Sequence, residues 1–582
     1  MTHMPNESDL LDLLLKNRGI SIEGRERFLN PNYEKHLYDP FLLKDMEKAC
    51  ARIFDAIEKN EKIVIYSDYD CDGIPAAVIM HDFFTKIDYK NFSIYIPHRH
   101  EEGYGLHTDA IENFIKENVT LLITFDLGIT AVDEVAFAQK NGMDVIITDH
   151  HLPRRSGSEG GAVSDILPPA FAIINPKQDG CQYPDKMLCG AGLAFKLVSA
   201  LIQKYGAYWE EKYSTAAATP SLTKGWEKWL LDMAGLATLA DQVPLLDENR
   251  VLAYYGLKVL QRARRPGLLE LFRKAGVDIS KLNEEDVTFT LAPRLNAASR
   301  MGTPRHAFEV LSTTDEVAAK NIADHLAKIN DERKSLVAQI MKEVKKNLTK
   351  RQSDEPKPVI VIGNPSWRVG ILGLVAAKVV EEYKCPAFVW GAEGSDTIRG
   401  SARGWGNVNL VSMMSALPPN SLLEFGGHKG AGGFSVSHEE VHFLEERLLS
   451  VFENSKEPEQ ENEDVLQDQS IEATITLNDV TPSNYTVIEK LAPYGMNNPK
   501  PVFKFENIPI VMIKEFGKDK NHLELIFRDT RRRPVKAVAF FKTRDSFAKP
   551  LAEQMQITLL ATFEKSTFAG RTELRLRIVD IL

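Results

Sequence analysis

A chain of 582 residues is longer than one hydrophobic core accommodates, so roughly three or four domains are expected. Its formal net charge of −10 makes the surface as a whole repel nucleic acid, which excludes loose coating of DNA and confines any polyanion site to a local basic groove. Its five cysteines, none in CxxC spacing, exclude a disulfide framework or a zinc knuckle; with no signal-peptide pattern and no long apolar run to span a membrane, a cytoplasmic protein is expected.

Residues 1–45 read as a helical arm ending in the Pro-containing NPNYEKHLYDPFLLKDM. From 46 to 215 a helix leads into IVIY, and short apolar runs (IVIY, FSIYIP, LLITFD, DVIITD, AFAIINP) alternate with amphipathic segments, which predicts βαβ units and a parallel sheet. Three of these strands end in acids, at Asp68, Asp126 and Asp149, the last followed by His150 and His151. Ligands of open α/β sheets bind at the carboxyl ends of strands, so these groups converge on one rim. Residues 216–350 are mainly helical and end in a connector helix from Thr314 to about Thr349. A second α/β pattern opens at VIVIGNPSW and fills 351–455. Residues 456–470 are an acidic, solvated linker, and 471–582 alternate as a small β-barrel of about five strands. The expected fold class is α/β: two α/β domains joined by a long helix, plus a C-terminal β-barrel.

The chemistry starts at SDYDCDG, where Asp68, Asp70 and Asp72 stand in alternate positions before Gly73. Acids after strands often serve only as caps or turn formers. Here they meet a strand-terminal Asp126 and an Asp-His-His, and that convergence outweighs the bland reading. Clustered carboxylates repel unless a cation neutralises them. Oxygen donors with a minority of imidazole suit Mg²⁺ or Mn²⁺, and a pair of such ions is the usual device for hydrolysing phosphate esters.

SDYDCDG, the FD of LLITFDLG, and TDHH resemble the first three motifs of the DHH phosphoesterase family; ATLADQVPL, with Asp241, resembles the fourth. EFGGHKGAGGF resembles the signature of the associated DHHA1 domain. Motif order is closest to the members that act as single-strand-specific 5′→3′ exonucleases of bacterial recombination and repair. The resemblance implies that Asp70 and Asp72 ligate the metals, with Asp68 a ligand or a neighbouring acid, and that Asp126 bridges the two ions. It implies further that His150 and Asp241 complete the second site and that His151 meets a phosphate oxygen or the leaving group. Its other implications are an OB-like barrel, single-stranded DNA as substrate, a single-strand-binding protein and a RecQ-type helicase as partners, and a monomer. Two departures are Cys71, where small apolar residues are commoner and which suggests sensitivity to oxidation, and Ser299, where the family has glycine.

For holding substrate, IPHRHEEGYGL offers His98, Arg99 and Tyr104, with Arg99 suited to bidentate phosphate binding. LAPRLNAASRMG brings Arg294, Asn296 and Arg300. IRGSARGWG supplies Ser401, Arg403 and Trp405, and the glycine-rich FGGHKGAGG supplies His428 and Lys429. In the barrel, basic residues from Lys514 to Arg533 accompany Phe516, Phe527, Phe540 and Phe541, most of which are expected in the core. A phosphatase of short oligonucleotides or nucleotide phosphates and a non-catalytic scaffold are the competing readings. Length opposes the first, and the retained acids oppose the second.

Overall fold

The structure is a computed structural model that describes residues 7–156, 164–213, 222, 225–262, 264–350, 357–394, 397–456, 471–518, 520–568 and 571–582. Most of the acidic linker lies outside the described residues. The chain forms two compact units. One comprises Asp39–Asp241 and Gly256–Asn462; the other comprises Met1–Tyr38, Gln242–Tyr255 and Glu463–Leu582.

The first unit is built on a parallel sheet of β1 (Ile63–Ser67), β2 (Phe92–Tyr95), β3 (Leu121–Phe125), β4 (Asp144–Thr148) and the strand Ala172–Ile174, in the order β2-β1-β3-β4 and then Ala172–Ile174. β1 and β3 are buried along their whole length, as expected of central strands covered on both faces. Register sets where the strands stop. Ser67 pairs with Phe125, and Phe125 with Thr148, so the three strands end level. Asp68, Asp126 and Asp149 therefore emerge side by side on one edge.

The helices Gly73–Lys86 and Gly190–Tyr213 pack against each other. The connector helix runs from Glu316 to Lys350. Its Val337, Ile340, Met341 and Val344 enter the core of a second, mixed sheet made of Ile360–Gly363, Ala387–Gly391, Ile398–Arg403, Glu424–Gly427 and Ala431–Val436.

The second unit holds a seven-stranded sheet, two strands more than expected. The additional strands are Val502–Pro509 and Met512–Phe516. The first ends in a proline and carries a register shift between Phe505 and Ile508, and the second is exposed or half-exposed at every residue, so neither gives a clean alternation. Leu10, Leu14, Leu15 and Phe28 of the N-terminal arm share one core with Phe503, Phe505, Leu523, Leu525 and Phe527. The expectation that most of the phenylalanines are core is corrected: Phe527 is buried, whereas Phe516 is 37% and Phe541 80% exposed. Among the described residues no helix is long and apolar enough to cross a membrane.

Candidate metal centre

Each ligand candidate is held by a backbone feature that the local sequence dictates. Asp70 Oδ1 accepts from the N–H groups of Asp72 (2.8 Å) and Gly73 (3.2 Å), which caps the start of the Gly73–Lys86 helix. Asp72 reaches the N-terminus of the other helix, where Gly190 N–H donates to Oδ2 (2.5 Å) and Ala191 N–H to Oδ1 (2.7 Å). Asp126 has a left-handed backbone, φ 63°. The Tyr104 hydroxyl donates to its carbonyl at 3.1 Å. Gly73 and Gly190 are both required by close approach. A Cβ at Gly73 would lie 2.5 Å from the Asp68 carbonyl oxygen, and one at Gly190 would lie 2.8 Å from Asp126 Cβ.

These supports bring three donor sets together: Asp68, Asp70 and Asp126; Asp72, His150 and Asp241; and Asp126, His150 and His151. Within each, the donor atoms lie within 4.8 Å of one another. His150 Nε2 stands 3.0 Å from Asp126 Oδ1, 3.6 Å from Asp72 Oδ2 and 3.9 Å from Asp241 Oδ2. Asp126 and His150 thus each belong to two of the three sets. The charge state of the cluster fits a cation. Burial, then the repulsion of Asp70, pushes Asp72 up to about 6. Burial with Asp72 and Asp70 pushes Asp241 up to about 8. Asp126 is raised by burial and by Asp72, Asp70, Asp68 and Asp241, and Asp68 Oδ1 is buried without a hydrogen-bond partner. Acids that oppose each other's ionisation in this way are stabilised by divalent ions.

The two histidines differ. Burial, then the neighbouring His151, holds His150 down at about 3, so it is a neutral imidazole near neutral pH. Burial alone would also lower His151, yet Asp149 overrides it and raises His151 to about 9. Asp149 is itself buried, but the hydrogen bonds from His151 Nδ1 and His151 N–H and the charges of His151 and His150 hold it at about 2; it also accepts from Ile129 N–H. His151 Nδ1–H donates to it at 2.8 Å, which fixes the orientation of the ring. Sequence reasoning used Asp149 only as part of a motif and passed over Gly190, since a glycine opening a helix carries no distinctive signal.

Of the remaining candidates, His428, Arg99, Arg300 and Arg403 lie by this edge, whereas Arg294 and Asn296 are not brought to it. The His428 ring lies parallel to His151 at 6.5 Å between centroids. Arg403 donates to Ser401 Oγ at 3.0 Å, Arg99 sits 4.8 Å over the Tyr69 ring, and Arg300 donates to the Gly370 carbonyl at 3.3 Å. Arg294 donates to the Thr290 carbonyl, and Asn296 Oδ1 is buried and unpaired. Cys71 is 3% exposed, and burial followed by Asp70, Asp72 and Asp241 pushes its thiol up, which works against the sensitivity to oxidation expected of it.

A model of the DHH family, N-terminal domain, matches residues 62–221, and a model of the RecJ OB domain matches residues 471–580. The single-stranded-DNA-specific exonuclease RecJ of Bacillus subtilis (strain 168) is 36% identical over 530 residues, 91% of this chain and 62% of that protein. The chain therefore spans just under two thirds of that relative's length. The Haemophilus influenzae protein of the same name is 30% identical over 525 residues, 89% of this chain and 86% of its own length. RecJ from Thermus thermophilus in complex with Mn²⁺ matches with a TM-score of 0.76 at 24% identity, over 99% of this chain and 76% of that one; its Mg²⁺ complex gives 0.72. With the acids and histidines of its motifs on one sheet edge and an OB domain following, the chain belongs to the RecJ family of single-stranded-DNA-specific exonucleases.

Proposed function

We propose that this protein is a metal-dependent phosphodiesterase that removes 5′ mononucleotides from single-stranded DNA in the 5′→3′ direction, in recombination and repair. The observation that carries this reading is the level ending of β1, β3 and β4, which sets Asp68, Asp126 and Asp149 in one row and feeds the donor sets Asp68, Asp70, Asp126 and Asp72, His150, Asp241, with His150 Nε2 3.0 Å from Asp126 Oδ1. Asp68, Asp70 and Asp126 would hold one Mn²⁺ or Mg²⁺, and Asp72, Asp126, His150 and Asp241 the other. When bound, the ions supply activation of the attacking water and neutralisation of charge on the leaving oxygen.

The chain's own residues do the positioning. Asp149 orients His151 toward the scissile phosphate with Nε2 as its remaining ring nitrogen. Arg99, Arg300 and Arg403, with Ser401, take phosphate oxygens, and His428 closes the side opposite His151. The exposed Phe516 and Phe541, with Arg577 4.1 Å over the Phe540 ring, give the OB domain a surface on which bases stack. The protein acts in the cytoplasm as a monomer, on strands delivered by a RecQ-type helicase and coated by a single-strand-binding protein.

The test is incubation with Mn²⁺ or EDTA of a single strand labelled at its 3′ end, beside the matching blunt duplex. Progressive shortening of the single strand alone is expected, abolished by EDTA and by Asp126→Ala. An intact long strand with rapid hydrolysis of dinucleotides would replace this reading by a short-oligonucleotide phosphatase. Binding without cleavage of either substrate would make the protein a scaffold.

A further inference from the structure

The connector helix carries an arginine that the metal centre does not use. Arg333 lies near the middle of Glu316–Lys350, one turn after Asn330. This helix packs against Ala292–Met301, which carries Arg294, Asn296 and Arg300. On these two facing helices Arg294 Nε, Asn296 Oδ1, Asn330 Oδ1 and Arg333 Nε are all buried without a hydrogen-bond partner, and Asn330 as a whole is 1% exposed. A packing role would have paired them, because an unpartnered buried donor on a charged group is expensive.

The arginines form a series. Burial, then Arg99, Arg333 and Arg403, disfavours the charge on Arg300, which also feels Asp70 of the metal centre. Burial, then Arg294, disfavours the charge on Arg333. The series thus leads from the metal rim, through Arg300, onto the connector helix. Arg294, Arg300 and Arg403 donate only to carbonyl or hydroxyl oxygens, and among the described residues none of these arginines is ion-paired. In a chain with 81 acids against 71 basic residues, such a row without ion pairs is a site for anions. A phosphodiester carries a single charge, and at the far end of the row the one acid felt by Arg294 is Asp331, which is not ion-paired with it, so one phosphate at the metal rim leaves two arginines there to share that acid.

We propose that Arg333, with Arg294 from the facing helix, forms a second phosphate subsite that holds a backbone phosphate of the single strand beyond the one at the metal centre. It rests on the exonuclease reading for the identity of the polyanion. A strand, unlike a mononucleotide, presents phosphates in series, and the subsite makes the connector helix part of the substrate track rather than only a link.

The experiment measures the affinity of the full chain in EDTA for a 3′-fluorescein single-stranded oligonucleotide by anisotropy, over a series of KCl concentrations. Arg333→Gln is expected to weaken binding roughly ten-fold, as loss of a charge-assisted contact does. It should also reduce the slope of log Kd against log[KCl] by about 0.7, the value for one phosphate contact on a single strand. Arg333→Lys keeps the charge but not the fork, so it should retain the wild-type slope with weaker binding. A merely structural arginine would not move the slope. If Arg333→Gln fails to fold, Arg294→Gln reads the same subsite and should lose the same slope. A wild-type slope and affinity in the glutamine variants overturns the proposal. Loss of cleavage by the wild-type protein with Mn²⁺, while the slopes behave as stated, would instead overturn the exonuclease reading and leave the subsite standing.

Discussion

Asp126 occupies the left-handed region without being glycine, a conformation that costs of order 1–3 kcal/mol and persists only where its surroundings impose it. Tyr104 holds its carbonyl, and Gly190 leaves room for its Cβ. Gly190→Ala should therefore leave the protein folded but displace Asp126 and Asp72. Isothermal titration with Mn²⁺ should show a clear loss of affinity, and wild-type binding would show that the cradle is not needed. The ionisation of the centre gives a second prediction at this scale. Asp72, Asp241 and His151 have folded-state values raised to about 6, about 8 and about 9. Groups raised on folding bind protons more tightly in the folded state, so their stabilisation is lost as pH rises through those values. His150 at about 3 and Asp149 at about 2 act in the opposite sense, but their effect is complete by about pH 6.5, the ordinary value of histidine. In EDTA, Tm should therefore fall between about pH 6.5 and 9, and Mn²⁺ should raise Tm more at pH 8 than at pH 6.5. An equal gain at both would contradict the assignment of the raised acids as ligands.

Among elements, the Gly73–Lys86 helix shows how one residue serves two roles. Asp70 both caps it and faces the other acids. Asp70→Asn keeps the capping oxygen and removes the charge, whereas Asp70→Ala removes both. Both should lose activity, but only the alanine variant should also lose about 1 kcal/mol of stability in urea unfolding. The strands that deliver the centre were legible in the sequence because each is a short apolar run closed by an acid, and register did the rest. Val502–Pro509 and Met512–Phe516 were not, since a bulge and an exposed face break the alternation on which the reading depends. The same limit hid Phe541, whose aromatic ring reads as core in sequence yet stands 80% exposed with φ 57°. Arg333 was hidden for the opposite reason: within NDERKS it looks like one more charge on a solvated helix, and only the facing helix reveals its lack of a partner.

For the whole molecule, the net charge of −10 confines any polyanion site to a local basic region, and the arginines without ion pairs among the described residues are where the proposed phosphate subsite lies. What composition could not foresee is that the second unit is assembled from three distant segments. Deletion of residues 1–38 would strip Leu10, Leu14, Leu15 and Phe28 from the core they share with the seven-stranded sheet. The truncated protein should be poorly soluble or show an early unfolding transition, and an unchanged melting profile would mean that the arm contributes nothing to that core. The same arrangement sets a timetable during synthesis. The leucines of the arm leave the ribosome first, while Phe503, Leu523 and Phe527, against which they pack, follow roughly 500 residues later, on the order of half a minute to two minutes at ordinary elongation rates. Through that interval the first helix has an apolar face and nothing native to cover it, so a holding chaperone bound to the nascent arm is the expected companion of this protein's birth.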